Sequence, residues 1–249
     1  MTMMTGDRAD EQVAALGAAI SARKARFHAE LAETCDRLGR EPSSVRLIAV
    51  SKKQPAAAVE AAMAVGIGDF GENRVQEAEL KVQSIAPRPV WHLVGHLQTN
   101  KAAKAAELFD WVQSVDSVRL AQALGRGAER CERKLNVLVQ VNTTSESQKS
   151  GCEPEDLAAV IEAVSGEANL CLSGLMTIGP LTQTESDTRR AFELAAELRE
   201  TWRERLGAEA MAVLSAGMSG DWRWALEHGA DWVRIGTAIF GARDSGDRV

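Results

Sequence analysis

The 249-residue chain has no tyrosine, so any chemistry that needs a phenolic acid or base is excluded. It has no run of about 18 apolar residues, which excludes a membrane-spanning helix. Its four cysteines, Cys35, Cys131, Cys152 and Cys171, form no C-x-x-C pair. Their spacing suits neither a zinc site nor a disulfide framework. No signal peptide is visible, and residues 1–10 are polar; reduced thiols in a cytoplasmic protein are the expectation. Basic charge is not in excess. The net charge of −6 argues against a nucleic-acid partner, while a local basic pocket for a single phosphate stays compatible with it. Repeats, linkers and low-complexity tracts are also missing.

What is present is an ordered alternation of elements. Val13, Leu16, Ile20, Phe27 and Leu31 recur at spacings of three, four or seven, one face of a long helix. Gly39 and Pro42 stop it. Short apolar runs then predict strands at 45–50, 69–72, 91–94, 111–115, 135–141, 170–178, 212–214 and 232–235. Helical segments separate them, with Pro55 near the first turn of one, Asp116 as an N-cap, 154–164 as another helix, and Ala191, Leu194, Leu198 and Trp202 lining a further one. Eight such units in a chain of this length predict the α/β class and one (β/α)8 TIM barrel. Residues 1–249 then form a single domain, with 1–42 as a helical N-terminal extension. An open doubly wound sheet is the second choice.

In a barrel the chemistry sits where strands end. Lys52 follows the first strand. Alternation puts it in phase with Ile48 and Val50, and Lys53 in phase with Leu47 and Ala49, without saying which set points inward. An isolated lysine there is most often a solvated loop residue; a desolvated one has the neutral amine that Schiff-base formation requires. The segment Ser215-Ala216-Gly217-Met218-Ser219-Gly220 follows strand seven, and small hydroxyls and glycines before a helix suit a phosphate. Arg234-Ile235-Gly236-Thr237 at strand eight strengthens that reading. Arg234 sits among apolar neighbours, where an arginine is rare unless paired. It serves either a structural ion pair or a hydrogen bond to the ring nitrogen of a planar ligand. A Schiff-base lysine, a phosphate cradle and a ring-nitrogen partner are together the needs of pyridoxal 5′-phosphate (PLP).

Other polar residues read more plainly. Asn73 and His92 are placed to face the mouth, but Glu72 and His92 serve equally as satisfied structural groups. His92 and His96 lack a third ligand and a helix to carry them, so no metal is expected. The polar stretch 141–151, Ser145 included, forms a rim or nothing chemical. Met176 reads as core by residue type. Gly66-Ile67-Gly68-Asp69-Phe70-Gly71 matches G-x-G-x-x-G in letters, but it leaves a helix and enters a strand, the reverse of a dinucleotide fingerprint.

Five stretches together resemble the pyridoxal phosphate homeostasis proteins (the YggS/PROSC family). They are Ala49–Lys52, Phe70–Glu77, Trp91–Lys101, Ser173–Gly179 and Arg234–Arg243. That family shares the PLP-binding barrel of alanine racemase and lacks the racemase's C-terminal β domain. The resemblance implies that Lys52, rather than Lys53, is the Schiff-base lysine. It implies that Ser219, Gly236 and Thr237 hold the phosphate, that Arg234 meets the ring nitrogen, and that Asn73 and Met176 contact the cofactor. His96 stands where some members have proline. The expected role is intracellular PLP homeostasis, as carrier or buffer and not as an enzyme, with apo PLP-enzymes as recipients and a monomer as the working form. An amino-acid racemase is the alternative. Racemization needs a base on each face of the substrate carbon, alanine racemases use a tyrosine for one, and this sequence has none. Few residues follow the last strand, so no capping domain is expected. A Schiff-base aldolase lacks a lysine in strands six and seven.

Overall fold

A computed structural model describes residues 4–144, 146, 148–181 and 184–242. Ser145 and Arg243 of the stretches quoted above lie outside the described residues, as does the side chain of Val13. The strands are β1 (Arg46–Val50), β2 (Asp69–Glu72), β3 (Val90–Leu93), β4 (Trp111–Val115), β5 (Leu135–Gln140), β6 (Leu170–Met176), β7 (Val213–Ser215) and β8 (Trp232–Ile235). All pair in parallel with their sequence neighbours. The ring closes because β8 also pairs with β1, Ile48 opposite Arg234 and Ala49 opposite Ile235. That closing pair eliminates the open sheet.

The helices are α1 (Met4–Arg37), α2 (Ala56–Ala64), α3 (Val75–Ser84), α4 (Ala102–Leu108), α5 (Val118–Arg130), α6 (Leu157–Ser165), α7 (Glu185–Leu206), α8 (Trp222–Glu227) and α9 (Thr237–Phe240). Ile20, Phe27 and Leu31 of α1 are buried as the spacing predicts, each contributing on the order of 2 kcal/mol. The Phe27 ring meets Trp222 of α8 edge-on at 5.2 Å. Lys24 Nζ donates to the Val65 carbonyl at 2.6 Å, and Arg23 to that of Phe240 at 3.2 Å. The extension is thereby fastened to both ends of the barrel's chain order.

Several boundaries differ from expectation for local reasons. The N-cap of α5 is Ser117, whose hydroxyl accepts from Leu120 N, and not Asp116. Pro154–Asp156 form a turn ahead of α6. On α7 the buried stripe runs through Thr188, Ala191, Phe192 and Ala195, leaving Leu194, Leu198 and Trp202 at its partly buried edge. The short α9 was not foreseen; four residues are too few to show a period.

The core has two layers. Alternate strand residues such as Ala49, Phe70, Val137 and Val139 face the helices. Ile48, Leu138, Met176, Val213 and Trp232 fill the barrel's interior, with Trp111 and Ile178 beside them. At Gly174, φ is 145° and a Cβ would collide with the backbone of Val213; only glycine lets β6 approach β7 there.

Candidate functional site

Ile48 belongs to the interior set, so alternation along β1 puts Ile48 and Val50 on the inward side; Lys52 follows two residues later, in the turn after the strand. Ser51, just before it, is turned outward. The Ser51 hydroxyl donates to Glu72 Oε1 at 2.7 Å, on the side of α3. Lys53 is exposed, whereas Lys52 is partly buried. The two lysines therefore differ in environment despite being adjacent.

Arg234 also points inward, and it is 4% exposed. Nη1 donates to Ser215 Oγ at 2.7 Å and Nη2 to the Thr177 carbonyl at 2.7 Å. Among the described residues it forms no ion pair, so the structural ion-pair reading fails. Burial pulls its pKa down to about 10, and the charge of Asp221 partly offsets that. An arginine carries five N–H donors; the two bonds described leave donor capacity for a further acceptor.

Ser215 continues into a chain of polar side chains through the interior. Its hydroxyl donates to Gln113 Oε1 at 2.7 Å. Gln113 Nε2 meets His92 Nδ1 at 3.1 Å, and His92 Nε2 meets Asp69 Oδ1 at 2.9 Å. With Nδ1 accepting, the imidazole proton sits on Nε2 and is given to Asp69. Every donor in the chain then points from the cation Arg234 toward the anion Asp69. Burial lowers the His92 pKa against the opposing effect of Asp69, which favours the neutral ring. His92 is stacked on Trp111, ring centroids 6.0 Å apart and planes at 11°, and lies edge-on to Trp232 at 5.5 Å. It is thus a satisfied interior group, the safer of the two sequence readings, and Glu72 is likewise bonded.

The loop after β7 has the shape that its glycines imply. Gly217 has φ 89°, and a Cβ there would stand 2.7 Å from Trp222 Cα. Its carbonyl accepts from Arg234 N at 3.0 Å, tying this loop to β8. Asp221 Oδ1 accepts from Met218 N at 2.5 Å. Burial raises the Asp221 carboxyl, with the bond from Met218 and the charge of Arg234 opposing. Ser219 and Thr237 line one cavity of about 420 Å³ together with Arg23, Arg26 and Arg223. Gly236 lies against Val50 at the end of β1: a Cβ there would be 3.4 Å from the Val50 carbonyl oxygen. The last turns of β1, β7 and β8 thus converge.

Asn73 lines a different cavity, with Arg74, His96 and Lys101. Met176 is fully buried in the interior cluster. The loop after β5 folds back on itself: Asn142 N donates to the Cys152 carbonyl at 2.8 Å and Cys152 N to that of Gln140 at 2.9 Å. Lys149 Nζ then bonds the Gly179 carbonyl at 2.6 Å.

The donor set fits a ligand with an aldehyde, an aromatic nitrogen and a phosphate. Comparison with known proteins agrees. The family model for the N-terminal domain of alanine racemase matches residues 11–244. The pyridoxal phosphate homeostasis protein of Pseudomonas aeruginosa is 47% identical over 224 residues, 89% of this chain and 95% of that one. The chain belongs to the family of pyridoxal phosphate homeostasis proteins. The family member from Escherichia coli K12 is 38% identical over 86% of this chain and 93% of its own. A solved structure of PipY from Synechococcus elongatus with PLP bound superposes with a TM-score of 0.74 at 41% identity, covering 85% of this chain and all of that one. Alanine racemase of Clostridium difficile shares the fold alone, at 15% identity and TM-score 0.71; this chain covers 57% of it.

Sequence reasoning singled out Arg234 and the loop that begins at Ser215, but it did not foresee the polar chain that joins them to Gln113, His92 and Asp69. A polar residue within a buried strand, in phase with Arg234 or His92, was the available signal.

Proposed function

We propose that this homeostasis-family protein binds PLP at the mouth of the barrel and keeps it available to the cell without turning over amino acids. The observation that carries this is the buried Arg234 guanidinium, which has no carboxylate partner among the described residues and lies within a barrel whose first strand is followed, two residues on, by Lys52. PLP supplies an aldehyde that condenses with a neutral primary amine and releases water.

Each residue has a role on this reading. Lys52 provides the amine. Ser219, Gly236 and Thr237 hold the phosphate. Arg234 donates to the ring nitrogen and keeps it unprotonated, which weakens the ring as an electron sink. Asn73 and Met176 contact the cofactor, Met176 from the interior layer beneath. The chain acts as one PLP-binding domain extended by residues 1–42, working as a monomer in the cytoplasm, and its recipients are apo-enzymes that use PLP. The lack of tyrosine removes the second base that a racemase of this fold uses.

The test is an absorption spectrum of the purified protein with PLP before and after borohydride reduction, followed by peptide mapping. The expected result is one reduced adduct at Lys52. No adduct, or one spread over surface lysines, overturns the reading.

A further inference from the structure

Outside the barrel wall, behind the mouth of β1, lies an ion cluster that the proposed function does not use. Glu72 ends β2 with its side chain turned toward α3, and it is fully buried. Its Oε1 accepts from Lys81 Nζ at 2.6 Å and from Ser51 Oγ at 2.7 Å, while Oε2 has no hydrogen-bond partner among the described residues. Burial raises the Glu72 carboxyl against the pull of Lys81. Lys81, near the end of α3, is 5% exposed and also donates to the Ser51 carbonyl at 2.7 Å. One helical turn earlier, Glu77 Oε1 lies 3.5 Å from Lys81 Nζ and accepts the backbone N–H of Lys53.

These bonds fall on both neighbours of Lys52. The last described bond from β2 to this part of β1 is Ser51 N to the Gly71 carbonyl at 2.9 Å. Past it the sheet no longer dictates direction, and the chain turns, Gln54 N reaching back to the Ser51 carbonyl at 3.0 Å. Lys53 has φ 60°, and among the described non-glycine residues only Glu132 shares a positive φ. That conformation is disfavoured for a lysine and persists only where surroundings over-determine it. A buried charge cluster is a poor device for stability, since apolar residues of similar volume often serve as well or better. Its placement suggests another use.

We propose that Glu77, Lys81 and Glu72 are positioning residues for Lys52: by fixing the peptide groups of Ser51 and Lys53 from α3, they keep the Lys52 amine, and not that of Lys53, aimed into the barrel mouth. This rests on the reading of Lys52 as the covalent lysine. The cluster's described bonds to this turn fall on the Ser51 hydroxyl and carbonyl and on the Lys53 N–H. It acts by removing backbone freedom that would otherwise let the two adjacent lysines exchange directions.

The experiment uses the full chain and two ligands. PLP reports covalent capture; pyridoxine 5′-phosphate, which has a hydroxymethyl group in place of the aldehyde, reports the ring and phosphate contacts alone. The variants are Glu77→Ala, Glu77→Gln, which keeps an acceptor oxygen, and Lys81→Met. Glu77→Ala is expected to form the PLP adduct about tenfold more slowly, the size of one charge-assisted hydrogen bond. Part of its borohydride-trapped adduct should map to Lys53, with pyridoxine 5′-phosphate affinity unchanged. Glu77→Gln should restore the wild-type rate. Lys81→Met should show the same split more strongly; if it does not fold, Glu77→Ala decides. Wild-type adduct kinetics and sole labelling of Lys52 in Glu77→Ala overturn the proposal. So does equal loss of both ligands with a lowered melting temperature, which marks a structural role. Failure of the underlying reading shows separately, as a wild-type adduct mapped away from Lys52.

Discussion

Arg234 and Ser215 are joined by a 2.7 Å hydrogen bond inside the barrel, and through it the guanidinium is linked by Gln113 and His92 to the carboxylate of Asp69. The donor order leaves Ser215 a single arrangement: it accepts from Arg234 and donates to Gln113. A residue that only filled space could be replaced by any small side chain. Ser215 cannot, because its loss strands a buried donor on Arg234 and an acceptor on Gln113.

Ser215→Ala is accordingly expected to lower unfolding free energy by about 1.5–3 kcal/mol, the range for a hydrogen bond to a charged group. PLP affinity should fall as well, because Arg234 is freed to turn away from the ring nitrogen. Urea unfolding and a PLP titration measure the two effects. Unchanged affinity would separate Ser215 from the ligand site.

Lys52→Ala should abolish the absorbance of the PLP adduct, and Lys53→Ala should leave it in place. Absorption spectra with and without borohydride read this directly. An adduct retained in Lys52→Ala and mapped to Lys53 contradicts the proposal of Lys52 as the covalent lysine.

Ser219→Ala should weaken PLP by roughly ten- to hundredfold through loss of a hydrogen bond to the phosphate. Pyridoxal, which lacks the phosphate, should bind the wild type poorly and be indifferent to the substitution. Equal affinity of the wild type for both ligands argues against a phosphate site on these loops.

The pH dependence of stability follows from His92. Burial lowers its pKa below the ordinary value of 6.5. The unfolded chain therefore takes up a proton near 6.5 that the folded chain refuses. Its contribution is fully present above about pH 6.5 and is lost as pH falls below that value. Urea midpoints measured from pH 7.5 to 5.5 should fall with acidification in the wild type, and less steeply in His92→Gln. Parallel slopes would show that His92 does not titrate in this way.

PLP-loaded protein should not racemize or transaminate amino acids beyond the rate of free PLP under the same conditions. A general acid–base group contributes about 10²–10⁴-fold to such rates, and the tyrosine that supplies one in racemases is missing. Turnover well above free PLP that disappears in Lys52→Ala restores the racemase reading.

The order of elements, the barrel class, the candidate lysine pair and the glycine-bearing loop were all legible in the linear chain. Parallel strands buried on both faces leave continuous apolar runs, and loops at their ends concentrate small and polar residues. Even the rejection of Gly66–Gly71 as a nucleotide loop needed only the order of helix and strand. What the chain alone left undetermined was phase and partnership. A strand with two buried faces has no polar side to mark its orientation, so alternation alone did not say which residues of β1 face inward until it closed on β8 and Ile48 fell inside. The partners of Arg234 lie 19, 57 and, through Ser215, 121 residues away along the chain. No local spacing encodes a bond of that length. The same holds for Glu72, Lys81 and Ser51, which come together only because α3 packs back across the end of β1. Local sequence sets the period of each element; long-range packing alone decides which buried polar groups meet.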